Sequence, residues 1–353
     1  MNTRREFIEV LSERLSALPE SEAKRLLTQF VEMLDDRLEM GMSEADAVSA
    51  LGNVDQLIRD YAPAALVPVS DTGSGHYNET IAEIRLHVRN ADAVIVNRPL
   101  PEGMTAQITA SEANTFTWSL EDGVLTLQEA GEARRGLFRR EREITLTLSD
   151  CRPAKLIADS YGGDIEVKGL SIGELAVLMS SSGDIEMTRC AVGGRTELTT
   201  RSGNLKLKDV DVRGDCKLEA MSGDIEVKRV SAASLRLRAA SGDIEGDGIH
   251  AGTAALGTTS GDIEVSDIAA QTSILCETAS GDIALSVPQT PDLRLSTASG
   301  DISLRLPGCP EGYDLQADSR AGDVDLPRLP LPGEQPRRVQ ALSASGDIRI
   351  LVK

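Results

Sequence analysis

Nine aspartates and one asparagine follow a glycine at nearly constant intervals along the chain, and a column of carboxylates is the feature here that could do chemistry. The pairs are Gly163–Asp164, Gly183–Asp184, Gly203–Asn204, Gly223–Asp224, Gly242–Asp243, Gly261–Asp262, Gly281–Asp282, Gly300–Asp301, Gly322–Asp323 and Gly346–Asp347. Carboxylates stacked on one face could cleave acidic sugars or bind calcium. The known calcium-binding repeat is G-G-x-G-x-D at a period of about nine residues, whereas this period is close to 20. Carboxylates at the ~4.8 Å spacing of neighbouring strands repel by roughly 1–3 kcal/mol per adjacent pair. A bond from each carboxylate to backbone N–H groups of its corner would offset that repulsion. Asn204 can accept the same bond without charge. The column therefore reads as structural turns, with calcium binding or catalysis as the alternative.

Three residues after the glycines runs a second acidic column, Glu166, Glu186, Glu226, Glu245 and Glu264, interrupted by Lys206 in the same coil as Asn204. One coil thus lowers the charge in both columns, which relieves repulsion between strands. The column reads as a solvated acidic face; a docking face for a basic partner is the alternative. Residues 131–142 concentrate arginines, among them Arg134, Arg135, Arg139 and Arg140, around Leu137 and Phe138. They form either a solvated hairpin loop or a contact loop for an acidic surface, such as the helical head described next. His76, His87 and His250 show no metal spacing, and no C-x-x-C pair exists among the five cysteines. Cys190, Cys216 and Cys276 fall on inward columns, where a free thiol acts as a small hydrophobe. No nucleophile–base pair or phosphate loop stands out. The expectation is a protein that is not an enzyme and has no cofactor or metal.

A period near 20 residues requires a solenoid, each coil burying its apolar face against its neighbours. Aligned on the glycines, inward residues recur as Ala176, Leu178 and Ser180, then Ile185, Met187 and Cys190, with polar residues between them. That alternation predicts two half-buried strands per coil, joined at the glycine, whose freedom of φ suits a tight corner, and by a second turn. Residues 80–160 alternate in the same way without the Gly-Asp corner and read as irregular coils capping the regular stack of 161–353. The last coil ends on Ile348, Ile350 and Val352, an uncovered strand edge through which the chain would form a homo-oligomer.

Residues 1–62 follow a helical grammar: Phe7, Ile8, Leu11, Leu15 and Leu18, then Ala23, Leu26, Leu27, Phe30, Leu34 and Leu38. Pro19 opens a second helix and Gly41 ends it, while Ser43 with Asp46 and Asn53 with Gln56 cap two short ones. Residues 63–79, rich in Pro, Gly and Ser, read as a linker. The fold class is mainly β: a single-stranded β-solenoid of about 20-residue coils preceded by a small all-α bundle. A net charge of −19 and a pI near 4.7 argue against nucleic acid and anionic lipid as partners. The N-terminal residues are charged, and the apolar stretch Tyr61–Val69 is short of the ~20 residues of a membrane span, so a cytoplasmic protein is expected.

The runs Ser182–Ile185, Ser222–Ile225, Ser241–Ile244, Ser260–Ile263, Ser280–Ile283, Ser299–Ile302 and Ser345–Ile348 all read Ser-Gly-Asp-Ile. Through them, the region from Ile81 to Lys353 resembles the bacterial putative-adhesin β-strand-repeat family, a domain of unknown function. Residues 1–62, through Leu18-Pro19, the Gly41–Ala47 stretch and Leu51-Gly52, resemble the HAAS-type helical signalling domain. The resemblance implies no catalytic residues. It implies a scaffold or interaction role near envelope-stress signalling, with a protein partner held by residues 1–62 in a system that includes a PadR-type regulator. Relatives commonly carry a membrane span between the two parts, where this chain has the linker. The alternative is a self-assembling or polysaccharide-binding solenoid.

Overall fold

The computed structural model describes residues 3–15, 20–39, 44–51, 54, 74–111, 115–129, 142–288, 292–308, 312–328 and 337–352. The chain divides into two compact units, Met1–Pro68 and Val69–Lys353. In the first, Phe7, Leu11 and Leu15 line one face of α1 (Arg4–Leu15). They bury against Phe30 and Leu34 of α2 (Glu20–Glu39) and Ala47, Val48 and Leu51 of α3 (Glu44–Leu51). Val54 joins this core. The Arg4 guanidinium donates to both oxygens of Asp35 at 2.6 and 2.8 Å, and its backbone N–H to Glu44 at 3.0 Å. One residue thereby ties the start of α1 to the other two helices, and the bond holds the Asp35 carboxyl below its ordinary range. Leu18, Pro19, Gly41, Ser43, Asn53 and Gln56 lie outside the described residues. No described helix is long and apolar enough to cross a membrane.

The second unit is a parallel β-solenoid with three sides. One coil holds the strands Lys155–Ser160, Ile165–Lys168 and Ser171–Ile172. The next coil pairs with it residue for residue, Leu156 beside Ala176, Ile165 beside Ile185 and Ile172 beside Val192. The expected two strands per coil become three because the chain turns again six residues after each of the first six glycines of the column. Gly169, Arg189, Asp209, Arg229, Gly248 and Asp267 all adopt left-handed φ, between 50° and 71°. The short third side that follows buries Ile172, Val192, Val212, Ala232, Ala251 and Ala270.

The corner glycines serve a different need from the expected one. Only Gly300 and Gly346 of the column have a positive φ. What excludes a side chain is the neighbouring coil: a Cβ on Gly183, Gly203 or Gly223 would lie 2.1, 2.0 or 1.8 Å from the carbonyl oxygen of the glycine before it.

At both ends the stack departs from chain order. Glu83–Val88 lies between Lys155–Ser160 and Val124–Glu129, so the second coil of the chain stacks outside the first. Antiparallel strands then close that end, Phe116–Glu121 on Val124–Glu129 and Ala106–Ala110 on Glu143–Leu148. Ser74–Tyr77, read as part of the linker, is a strand that pairs antiparallel with Ala106–Ala110; the rest of the linker up to residue 73 lies outside the described residues. At the other end Arg337–Ser345 lies between Asp292–Ser299 and Tyr313–Ser319, and Ile348–Val352 between Ile302–Leu306 and Val324–Asp325. Ile348 and Ile350 are buried, so the expected bare edge along them is covered at its start by Val324 and Asp325. The longer intervals from Gly300 to Gly322 and Gly346 give the chain the residues it needs to skip a level and return.

Candidate functional site

Every carboxylate of the aspartate column except that of Asp323, which ends it, reaches to the next coil. The N–H of Asp184 donates to Asp164 Oδ1 at 2.8 Å, Asn204 to Asp184 at 2.7 Å, and Asp224 to the Asn204 side-chain oxygen at 3.0 Å. The series runs on through Asp243, Asp262, Asp282 and Asp301 at 2.7–2.9 Å. It then follows the spatial order, Asp347 onto Asp301 and Asp323 onto Asp347. The bond is therefore made between coils and not within one corner. At its start Asp164 donates to Asp92 Oδ1 at 2.9 Å. Sequence reading missed Asp92, because Ala91 stands there in the place of the glycine; a small residue before an aspartate that opens an alternating run was the available signal. Burial pushes the Asp164 carboxyl above its ordinary value, the Asp184 N–H opposes this, and the charges of Asp92 and Asp184 add to the rise.

A second polar column is buried three residues before the glycines. Ser160, Ser180 and Thr200 accept the N–H of Gly163, Gly183 and Gly203 at 2.8–3.1 Å. Thr258, Thr278, Thr297 and Ser343 instead donate to the carbonyls of Gly242, Gly261, Gly281 and Gly300 at 2.9–3.1 Å. The glycine of each of these corners is thus held by a hydroxyl that replaces water in the core. The sequence shows these residues as inward positions, but not the partner of the hydroxyl.

On the outward glutamate column, cations and hydroxyls two residues further on share the charge. Glu166 pairs with Lys168, Glu226 with Lys228, and Glu186 accepts from Thr188 at 2.8 Å. Lys206 lies 3.8 Å from Glu226, whose carboxyl is held below its ordinary range chiefly by the Lys228 bond. Exposed pairs of this kind contribute little each; their effect is to keep the face from being uniformly acidic.

Arg134, Arg135, Phe138, Arg139 and Arg140 lie outside the described residues. Their flanks are described. Glu129, buried, accepts the N–H groups of Arg89 and Asn90 at 2.6 and 2.9 Å on one oxygen and the Arg142 guanidinium at 2.9 Å on the other. Glu129 thereby joins the end of the strand Val124–Glu129 to Arg142 and to the turn at Arg89 and Asn90. Burial pushes the Cys216 and Cys276 thiols up to about 12, and raises those of Cys190 and Cys151. A thiol so protected is neither nucleophile nor ligand at neutral pH. Among the described residues, no three His, Cys, Asp or Glu side chains come together to hold a metal ion.

Polar columns spent on joining one coil to the next define a structural repeat protein, a three-sided parallel β-solenoid. Residues 81–353 match the model of the Toastrack DUF4097 family, and the chain belongs to that family. Residues 6–60 match the HAAS family. No curated protein matches the chain. Among solved structures, a putative adhesin of Bacteroides fragilis is 14% identical, with a TM-score of 0.41 over 67% of this chain and 97% of its own. A putative lipid binding protein of Parabacteroides distasonis is 20% identical, with a TM-score of 0.47 over 65% and 95%.

Proposed function

We propose that the chain is a non-enzymatic scaffold: the helical unit makes a regulated protein contact, and the solenoid spaces and displays it. The setting we propose is the cytoplasmic side of an envelope-stress pathway that includes a PadR-type regulator. The observation that carries the scaffold reading is the aspartate ladder. Its repeated carboxylates, the best candidates for chemistry, hold the backbone of the next coil up to the last level, Asp323, and follow the repeat, whereas an active site needs a cluster that breaks it. The HAAS match supports placing the contact on the helical unit. A polysaccharide-binding role would draw on exposed aromatic rings, and among the described residues Tyr161 is the exposed one.

Val10, on the outer face of α1 and 36% exposed, is an apolar side chain that a partner would cover. The test is capture of a PadR-type regulator by the full-length chain and by Val10→Glu. Capture by the native chain, with at least about a tenfold loss in a variant that melts normally, is expected. Failure of the native chain to capture it rejects the proposed partner, and equal capture by the variant rejects the proposed surface.

A further inference from the structure

The two ends of the solenoid differ in how they finish the core. At the first, Trp118 and Phe116 are 6% and 3% exposed, plugging the core beneath antiparallel strands. At the second, Val324 and Leu326 stand two and four residues after Gly322, on columns that point inward in every other coil, yet they are 40% and 39% exposed. Among the described strands, Tyr313–Ser319 beside them pairs with Arg337–Ser345 alone. Among the described residues this is where parallel pairing and apolar core both stop at solvent.

We propose that this end is an interface between two copies of the chain, closed by a two-fold axis, with Tyr313–Ser319 pairing antiparallel to the same strand of the partner. Symmetry selects this arrangement. Head-to-tail growth would need a parallel, open coil at the other end, and that end is plugged and antiparallel, so only the tail-to-tail contact remains. An axis along the sheet normal reverses the strand but keeps inward side chains inward. The strand Tyr313–Ser319 has its midpoint at Gln316, and the next residue, Ala317, lies midway between the inward positions Leu315 and Ser319. Pairing centred on Ala317 places Asp314 opposite the partner subunit's Arg320, and by symmetry the reverse. It also sets Gln316 opposite the partner subunit's Asp318, an amide that can donate to a carboxylate. Opposite charges directly across an antiparallel pair attract, and like charges repel. Centring one residue earlier, on Gln316, would set Asp314 against the partner subunit's Asp318, so the charges fix the register. Val324 and Leu326 then cover the partner's open core. This inference is independent of what the helical unit binds.

The test is sedimentation equilibrium of the full-length chain, with Asp314→Arg, Arg320→Asp and the variant carrying both exchanges. The native chain should be a dimer. Each single exchange sets like charges opposed at two symmetric points and should raise the dissociation constant on the order of tenfold. The double exchange restores opposite charges and should restore the native value, which separates a register effect from misfolding. Leu326→Asp should give monomers. A native chain that stays monomeric at high concentration overturns the proposal. So does a dimer unmoved by Leu326→Asp, or a double exchange as weak as the singles.

Discussion

At the level of single residues the aspartate ladder couples one acceptor to one amide per coil, and Asp164 shows the conflict built into it. Its carboxyl is pushed up by burial, with Asp92 and Asp184 adding like charge. A carboxyl with a raised folded pKa contributes stability fully below its unfolded value near 3.8 and loses it as pH rises. Asp164→Asn keeps the oxygen that accepts the Asp184 N–H and removes the charge, as Asn204 already does one step along. Its melting temperature should equal or exceed the native one at pH 7, with the advantage shrinking toward pH 3. Asp164→Ala loses the acceptor and should cost about 0.5–1.5 kcal/mol. Calcium should move neither curve; a calcium-dependent rise lost in Asp164→Asn would mean that the column binds metal. The thiols carry the opposite end of the pH range. Cys216 and Cys276 keep their protons to about pH 12 in the fold, against 9.0 when unfolded. The native state therefore binds more protons between those values, and stability falls as pH rises through that window. Urea unfolding from pH 8 to 11 should show a steeper loss for the native chain than for a variant with both cysteines changed to alanine.

At the scale of elements, the sequence displays whatever repeats with a strong side-chain signature. Inward columns such as Ile185 and Met187, or Leu235 and Leu237, are buried where the period places them. The third side escaped for a physical reason. Its strands, such as Ser171–Ile172, are two residues long in the early coils, too short to show alternation. The turn before it is marked by no residue type, since Arg189, Asp209, Arg229 and Asp267 hold left-handed conformations that glycine would take at less cost. Packing of Leu170, Cys190 and Val210 immediately after that turn keeps the chain there against its local preference. The glycine column was legible as a requirement, but its cause was not: it lies in the carbonyl of the coil below, a contact about 20 residues away. Level-skipping at the ends was hidden in the same way. The intervals after Gly300 and Gly322 are visible as longer loops, yet spacing alone cannot say which coil the returning strand will lie against.

For the whole molecule, the two units should differ in how they unfold. The helical core gathers Phe7, Leu11, Leu15, Phe30, Leu34, Ala47, Val48, Leu51 and Val54, and a domain of roughly 60 residues is marginal in burial. The solenoid is a continuous core from Ile81 to Ile350 in which each coil is held by its neighbours through apolar columns and two polar ones. Such a stack gains stability from every interface, so its ends fray before its middle while the whole still melts cooperatively. Calorimetry of the full-length chain should therefore show two transitions. The lower one should carry about one fifth of the heat expected for the chain, in proportion to residue number, and it should vanish first in far-UV circular dichroism as helical signal. Arg4→Ala removes the side-chain tie to Asp35 that crosses from α1 to α2 and keeps the backbone N–H bond to Glu44 of α3. Only the side-chain pair is lost in that variant, so the lower transition should fall by a few degrees at most and the upper one stay fixed. Amide exchange should reach its slowest rates in the central strands Leu205–Ala220 and Ile225–Ala239, which pair along their length on both sides. A single transition that shifts as one in Arg4→Ala would show that the helices and the coils fold as one cooperative body.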